Sequence, residues 1–273
     1  MRIAVVTPNL NLGHYLEDTI QSVLANLAGG DEYYIVDGGS SDESREIIER
    51  YSSRITKWVS ETDRGYADAV GKGFSWASAD VLCWINSGDI LLKGALSRVR
   101  ALFCERADDL LFGDDYLIDP RGNVISWSCG RVASLRKMML YGGWTPLQDA
   151  CFWRREAYEK IGGMDRTLRY SGDYDLFLRL TRNARVSYVP YVFSAFRRHP
   201  GQMSIASTKH YQYEKDQCRR REIGEIGTPE ARLLRRPYYW TAVRVRARIL
   251  DPVWRMRARE AVGKNAMELD CAC

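Results

Sequence analysis

The sequence predicts an α/β protein, a mostly parallel, doubly wound sheet with helices on both faces, followed by a basic and mainly helical C-terminal tail. Three observations lead there. Over roughly the first 90 residues, apolar runs of strand length alternate with amphipathic segments of helical length. Each apolar run ends in a polar turn rich in Gly, Asp, Asn or Ser. From about residue 205 the pattern becomes polar, helical and arginine-rich.

Ile3 to Thr7 reads as a buried strand. Leu16, Ile20, Val23, Leu24 and Leu27 recur at helical spacing, and Gly29-Gly30 closes that helix. Glu32 to Val36 is a second strand. Ser40 and Glu43 have capping-box spacing for a helix through Tyr51. Ile55 to Val59 is a third strand, a helix follows from about Tyr66 to Ala77, and Val81 to Ile85 is the next strand. Leu110 to Asp119 and Val124 to Trp127 form a hairpin about the turn Asp119-Pro120-Arg121-Gly122-Asn123. Arg155 to Lys160 is helical and stops at Gly162-Gly163; Asp173 to Leu180 is helical; Val186 to Pro190 and Val192 to Phe196 are strand-like. The expected division is a catalytic domain over residues 1–210 and a tail over 211–273.

The 273 residues are 45% hydrophobic with a formal net charge of +5, which suits one large domain with an appendage and excludes global disorder. The seven cysteines are scattered and odd in number, so free thiols in a reducing compartment are expected. The chain enters a strand at once and has no apolar run of about 18 residues. The expectation is a cytoplasmic protein. Residues 231 to 259 mix arginines with Leu233, Tyr238, Trp240, Val243 and Trp254, a composition that suits either packing on the domain or docking on an anionic membrane surface.

In an open α/β sheet, ligands bind beyond the carboxyl ends of the strands. Thr7-Pro8-Asn9, Asp37-Gly38-Gly39-Ser40, Asp63-Arg64-Gly65 and Asn86-Ser87-Gly88-Asp89 all fall there. Asp89 offers a carboxylate that can hold a divalent cation against a diphosphate, and Asn86 an amide oxygen. Far downstream, Tyr170-Ser171-Gly172-Asp173-Tyr174-Asp175 supplies a carboxylate able to take a proton from a hydroxyl. Asp37, Asp63, Asp89 and Asp173 also suit turn or helix capping, and position alone does not decide.

The ordered set resembles the bacterial family 2 glycosyltransferases of the GT-A fold. It comprises the turns above and Asp63-Arg64-Gly65-Tyr66-Ala67-Asp68 through Gly73. Gln148-Asp149-Ala150-Cys151-Phe152-Trp153-Arg154-Arg155, Gly162-Gly163-Met164-Asp165, Gly172 through Arg179 and Arg198-His199-Pro200-Gly201-Gln202-Met203-Ser204 complete it. The resemblance runs over about residues 1 to 205. It implies a mixed GT-A sheet and an inverting transfer from a nucleotide-diphosphate sugar to a glycan or lipid-linked acceptor in surface polysaccharide or glycolipid synthesis. By resemblance Thr7, Pro8, Asn9, Asp37, Asp63, Arg64, Asn86 and Ser87 bind the donor, and Asp173 is the catalytic base. Asp89 and His199 hold Mg²⁺ or Mn²⁺, and Gln148, Asp149 and Trp144 meet the acceptor. Trp153, like Trp144, is a candidate for stacking on a sugar ring. Asn86 and Gly172 stand where the family commonly has acids, so a weakly active or inactive nucleotide-sugar-binding protein is the alternative.

Other classes fit less well. A dinucleotide-binding oxidoreductase needs Gly-x-Gly-x-x-Gly after its first strand, where this chain has Thr7 through Gly13. An Asp-x-Asp phosphohydrolase needs an acid at that strand end. A nucleic-acid binder would interleave the tail arginines with a stacking platform.

Overall fold

The computed structural model describes residues 1–132, 134–142, 144–199, 202, 208–223 and 259–271. The first half alternates as the periodicity requires: β1 (Ile3–Asn9), α1 (Gly13–Leu24), β2 (Glu32–Asp37), α2 (Ser44–Tyr51), β3 (Lys57–Ser60), α3 (Tyr66–Trp76) and β4 (Val81–Trp84). Then come β5 (Ile90–Leu91), α4 (Ala95–Glu105), β6 (Leu110–Ile118), β7 (Val124–Ser128) and α5 (Leu135–Gly142). The later elements are β8 (Cys151–Arg154), α6 (Arg155–Lys160), α7 (Gly172–Leu180), β9 (Val186–Arg197) and α8 (Thr208–Ile223).

Among the described residues the strands form one nine-stranded sheet in the order β3-β2-β1-β4-β8-β6-β9-β5, with β7 paired to β6. The β3-β2-β1-β4 half is parallel. β8 runs antiparallel to both β4 and β6, so the sheet is mixed. Alternate strand residues feed two cores. Ile3, Val5, Tyr33, Ile35, Val81 and Cys83 face α1, α2 and α4. Ala4, Val6, Tyr34, Leu82 and Trp84 face α3, α5, α6, α7 and α8.

Several expectations change. Ser40 does not cap α2. Its hydroxyl donates to Asp37 at 2.6 Å, and Asp42 instead accepts the Ser44 N–H at 3.0 Å. The two strand-like runs near 186 to 196 are one strand, β9, which carries Pro190 across a register shift against β6, where a missing N–H is tolerated. Helix α4 is an element the sequence reading does not contain. Trp153 is fully buried, 5.5 Å from Trp84 and 5.6 Å from Phe177 between ring centroids, so it packs the core and stacks on no sugar.

The expected domain boundary near residue 210 falls inside α8, whose Cys218 joins the second core. Residues 259–271 return to the sheet. Ala261 and Ala266 bury against Tyr116, Ile118 and Val124. The membrane-docking expectation for residues 231 to 259 lies outside the described residues except for Arg259. Among the described residues no helix is long and apolar enough to cross a membrane.

Candidate active site

The strand ends of β1, β2 and β3 build the first part of the site. The parallel register sets Asn9 beside Asp37, and the Asn9 amide donates to the Asp37 carboxylate at 2.7 Å. Asp37 also accepts the Ser40 N–H at 2.9 Å and the Ser60 hydroxyl at 2.6 Å. Burial by itself would raise the Asp37 pKa, but the bonds from Ser40, Ser60 and Asn9 outweigh it and hold the carboxyl below its ordinary value. The Asn9 Oδ1 is buried with no partner. The Thr7 hydroxyl is taken up by Tyr33 at 3.1 Å within the sheet, and the Pro8 carbonyl accepts the Ser87 hydroxyl at 3.0 Å.

The next turn closes over this group. Asp63 Oδ2 lies 2.8 Å from where a Cβ on Gly38 would stand, so the two turns touch only because residue 38 is glycine. Asp63 accepts the Gly65 N–H at 2.8 Å, and burial pushes its carboxyl up. Arg64 reaches back to Asp68, which also pairs with Arg166. Asp68 is pulled down to about 2 because these arginines outweigh its burial.

The turn between β4 and β5 forms the second part. Gly88, at φ +104°, donates its N–H to the Thr19 hydroxyl at 2.9 Å, and that hydroxyl donates to the Asp89 carbonyl at 2.8 Å. Asn86 donates to Gln148 at 2.9 Å and to Asp89 at 3.3 Å, while Gln148 donates to the Trp84 carbonyl at 2.7 Å. Arg197, 1% exposed, locks the turn. Its backbone N–H donates to Asp89 at 3.0 Å, and its guanidinium donates to the Gly88 carbonyl at 2.7 Å and pairs with Asp18 at 2.7 Å. The sequence places weight on its neighbour His199, whose ring lies 5.3 Å from that of Tyr15. Burial, then the nearby His14 and Arg197, push the His199 pKa down.

Beneath this turn lie Asp89, Asp115 and Asp149, each 3% exposed. Burial and mutual repulsion push Asp89 and Asp115 well up, and burial takes Asp149 to about 6. Asp115 Oδ1 and Asp149 Oδ2 have no partner. Asp149 is therefore interior, and Trp144 is half-buried against the second core.

The expected cation site rests on the Asp89 carboxylate, whose oxygens keep lone pairs beside the hydrogen bonds they accept. Both Asp89 oxygens are already bonded, to the Arg197 N–H and the Asn86 amide. Among the described residues no group of three His, Cys, Asp or Glu side chains converges on a point where a metal could sit.

The third part is the start of α7. Asp173 is half-buried and accepts the Tyr66 hydroxyl at 3.1 Å, while its own N–H donates to the same oxygen at 2.8 Å. Burial raises the Asp173 pKa, and its hydrogen bonds and the Lys215 ammonium moderate the rise. Such a carboxyl is a better proton acceptor than a solvated one. The Cys151 thiol is pushed well up by burial and by the charges of Asp149, Asp115 and Asp173. Tyr66 lies within the motif the sequence singles out, next to Gly65, but nothing in the sequence gives it a role.

Comparison with known proteins bears on this arrangement. The model of "Glycosyl transferase family 2" matches residues 4–162. An uncharacterized glycosyltransferase of Nostoc sp. is 29% identical over 182 residues, 60% of this chain and 54% of the relative, so the match spans about half of that protein. A PGL/p-HBAD biosynthesis glycosyltransferase of Mycobacterium bovis is 26% identical over 185 residues, 66% of this chain and 70% of the relative. Among solved structures, S. aureus TarS 1-349 in complex with UDP-GlcNAc superposes with a TM-score of 0.68 at 17% identity, covering 85% of this chain and 69% of that one. The mannosyltransferase PcManGT from Pyrobaculum calidifontis, in complex with GDP-Man and Mn²⁺, gives 0.58 at 12% identity over 94% and 83% of the two chains. At these identities the superpositions show the fold, and the mixed sheet flanked by helices is of the GT-A type.

Proposed function

Because this chain belongs to glycosyl transferase family 2, we propose that it moves a sugar from a nucleoside-diphosphate sugar to a hydroxyl of a glycan or lipid-linked acceptor, inverting the anomeric carbon. The observation that supports this best is the Asp173 carboxylate. It is half-buried and oriented by Tyr66, which opens α3 directly after the Asp63-Arg64-Gly65 turn. In this reading Asn9, Asp37 and Asp63 hold the nucleoside, and Asn9 offers its unpartnered oxygen to it. Arg64, Asn86 and Ser87 border the diphosphate, and Gln148 and Trp144 line the acceptor side.

Asp173 takes the proton of the acceptor hydroxyl as that oxygen attacks the anomeric carbon. The bond from that carbon to the diphosphate oxygen breaks, and its electron pair leaves with the nucleoside diphosphate. Attack from the face opposite the leaving group inverts the centre. The structure with Mn²⁺ supports a divalent cation in a protein of this fold. Here Asp89 would ligate such an ion with the lone pairs its two hydrogen bonds leave free, and the ion would neutralise charge on the leaving diphosphate. A role in surface polysaccharide or glycolipid synthesis rests on the sequence resemblance, and the mycobacterial relative, named for PGL/p-HBAD biosynthesis, supports a biosynthetic one.

The test is a thermal-shift screen of nucleoside diphosphates and nucleotide sugars with and without Mn²⁺, followed by transfer assays with each stabilising donor. A donor that binds the folded state raises the midpoint, by about 2.7 kcal/mol of stability at a hundredfold excess over its Kd. No shift with any donor overturns the proposal. A shift without transfer to any acceptor or to water favours a sugar-binding protein of the same fold.

A further inference from the structure

We propose that Glu214 and Lys215, neighbours on α8, are positioning residues for the proton-accepting carboxylate of Asp173. The first fixes the backbone from which Asp173 projects, and the second holds a buried positive charge over the ring of the next residue, Tyr174. The inference rests on the reading of Asp173 as general base and adds a helix that lies beyond the family match.

Helix α7 begins without local help, because its N-cap residue Ser171 makes no side-chain cap hydrogen bond. The segment that leads into it is held from another helix instead. The N–H groups of Arg169, Tyr170 and Ser171 donate to the Glu214 carboxylate at 3.1, 2.8 and 2.9 Å. A single carboxylate on a distant helix thus fixes the segment that delivers Asp173.

Lys215 is 5% exposed, and lysine is rarely buried so deeply without an ion pair. Its ammonium donates to the Thr145 hydroxyl at 3.3 Å and lies over the rings of Tyr174 at 4.8 Å and Tyr211 at 5.3 Å. Burial lowers its pKa to about 8, against the pull of Asp173. A methionine would fill this aromatic slot without that cost, so packing alone gives no reason for a cation. Asp173 gives one, since the ammonium opposes the burial that would keep its carboxyl protonated.

The other groups bearing on the pair are few. Tyr66 donates to Asp173 from α3, and Tyr174 and Tyr211 are phenols raised by burial. Asp216 and Arg219 on α8 act on Lys215 in opposite directions. Cys151 is held as a neutral thiol.

The test uses the full chain and reads the Asp173 carboxyl carbon by NMR titration, assigned by its loss in Asp173→Asn. Removing the positive charge in Lys215→Met should move that titration to higher pH by about one unit, and Lys215→Arg should return it towards wild type. The acid limb of kcat/KM should move with it. Glu214→Gln, which keeps the shape but loses acceptor strength, should lower kcat about tenfold with the donor KM unchanged. Coincident titrations for wild type and Lys215→Met overturn the proposal, as does a Lys215→Arg shift as large as that of Lys215→Met. A Glu214→Gln effect confined to donor KM overturns the role given to Glu214. An Asp173→Asn variant as active as wild type overturns the reading of the base itself, whatever the titrations give.

Discussion

Asp173 and Asp175 are two residues apart on α7, about 200° around the helix, and their surroundings assign them different work. Asp173 is half-buried and raised, with a tyrosine hydroxyl to orient it. Asp175 is fully buried and pairs with Arg179 at 2.6 Å and with Arg221. Asp173→Asn should therefore lower turnover at least about a hundredfold with donor affinity unchanged, measured by steady-state kinetics and titration calorimetry. Asp175→Asn should do the reverse, lowering Tm by about 6 °C because its arginines lose their partner, with turnover per folded molecule within a few-fold of wild type. The acids under the β4–β5 turn carry a pH dependence of stability. Asp149 titrates at about 6 when folded, against an ordinary value of 3.8. Between those values the unfolded chain has lost the proton and the folded one keeps it, so the Asp149 contribution to stability falls as pH rises from about 4 to about 6, and Asp89 and Asp115, pushed well up, continue the fall. Asp149→Asn should remove much of that slope, raising Tm at pH 7 more than at pH 4 in paired thermal melts. An equal gain at both pH values would assign the strain to packing instead.

Helix α8 shows at the scale of an element what a sequence gives up and what it withholds. The strand-end turns are legible because period-two burial and turn chemistry are local, and parallel register then brings Asn9 to Asp37. The start of α7 is legible from Asp173 and the apolar spacing behind it. Helix α4 escapes notice although Leu96, Val99, Leu102 and Phe103 have helical spacing. It starts from Gly94 at φ +79°, with no side-chain cap to announce it. Arg197, Glu214 and Lys215 escape for another reason. Their partners Asp89, Ser171 and Thr145 lie 108, 43 and 70 positions away, so nothing local distinguishes them from solvated charges. A chain ended at residue 210 would lose Glu214, Lys215 and Cys218 and uncover the outer side of Tyr174. It should melt at least about 5 °C below the full chain by circular dichroism or fail to stay soluble. An unchanged melt would make α8 an ornament rather than a wall of the site.

For the whole molecule, the net charge of +5 and the arginines of residues 231 to 259 bear on where the protein works. The full chain should sediment with anionic vesicles at low ionic strength and not with neutral ones. About 1 M salt should release it, because the screening length falls to about 3 Å. Equal sedimentation with both vesicles would return the tail to a packing role. The strand order has a separate outcome. β8 inserts between β4 and β6, and β5 waits for Ser194 and Ala195 of β9 before it has a partner. The turn carrying Asn86 to Asp89 is then tied by Arg197, the last residue of that strand. During synthesis the amino-terminal half therefore leaves the ribosome with its sheet open along β4 and its β4–β5 turn unshaped, and it waits over 100 residues for closure. Nucleotide capture can serve as a clock for that last event: in refolding, helical signal should return first, and a fluorescent nucleotide should bind only when the carboxyl-terminal strand has come home.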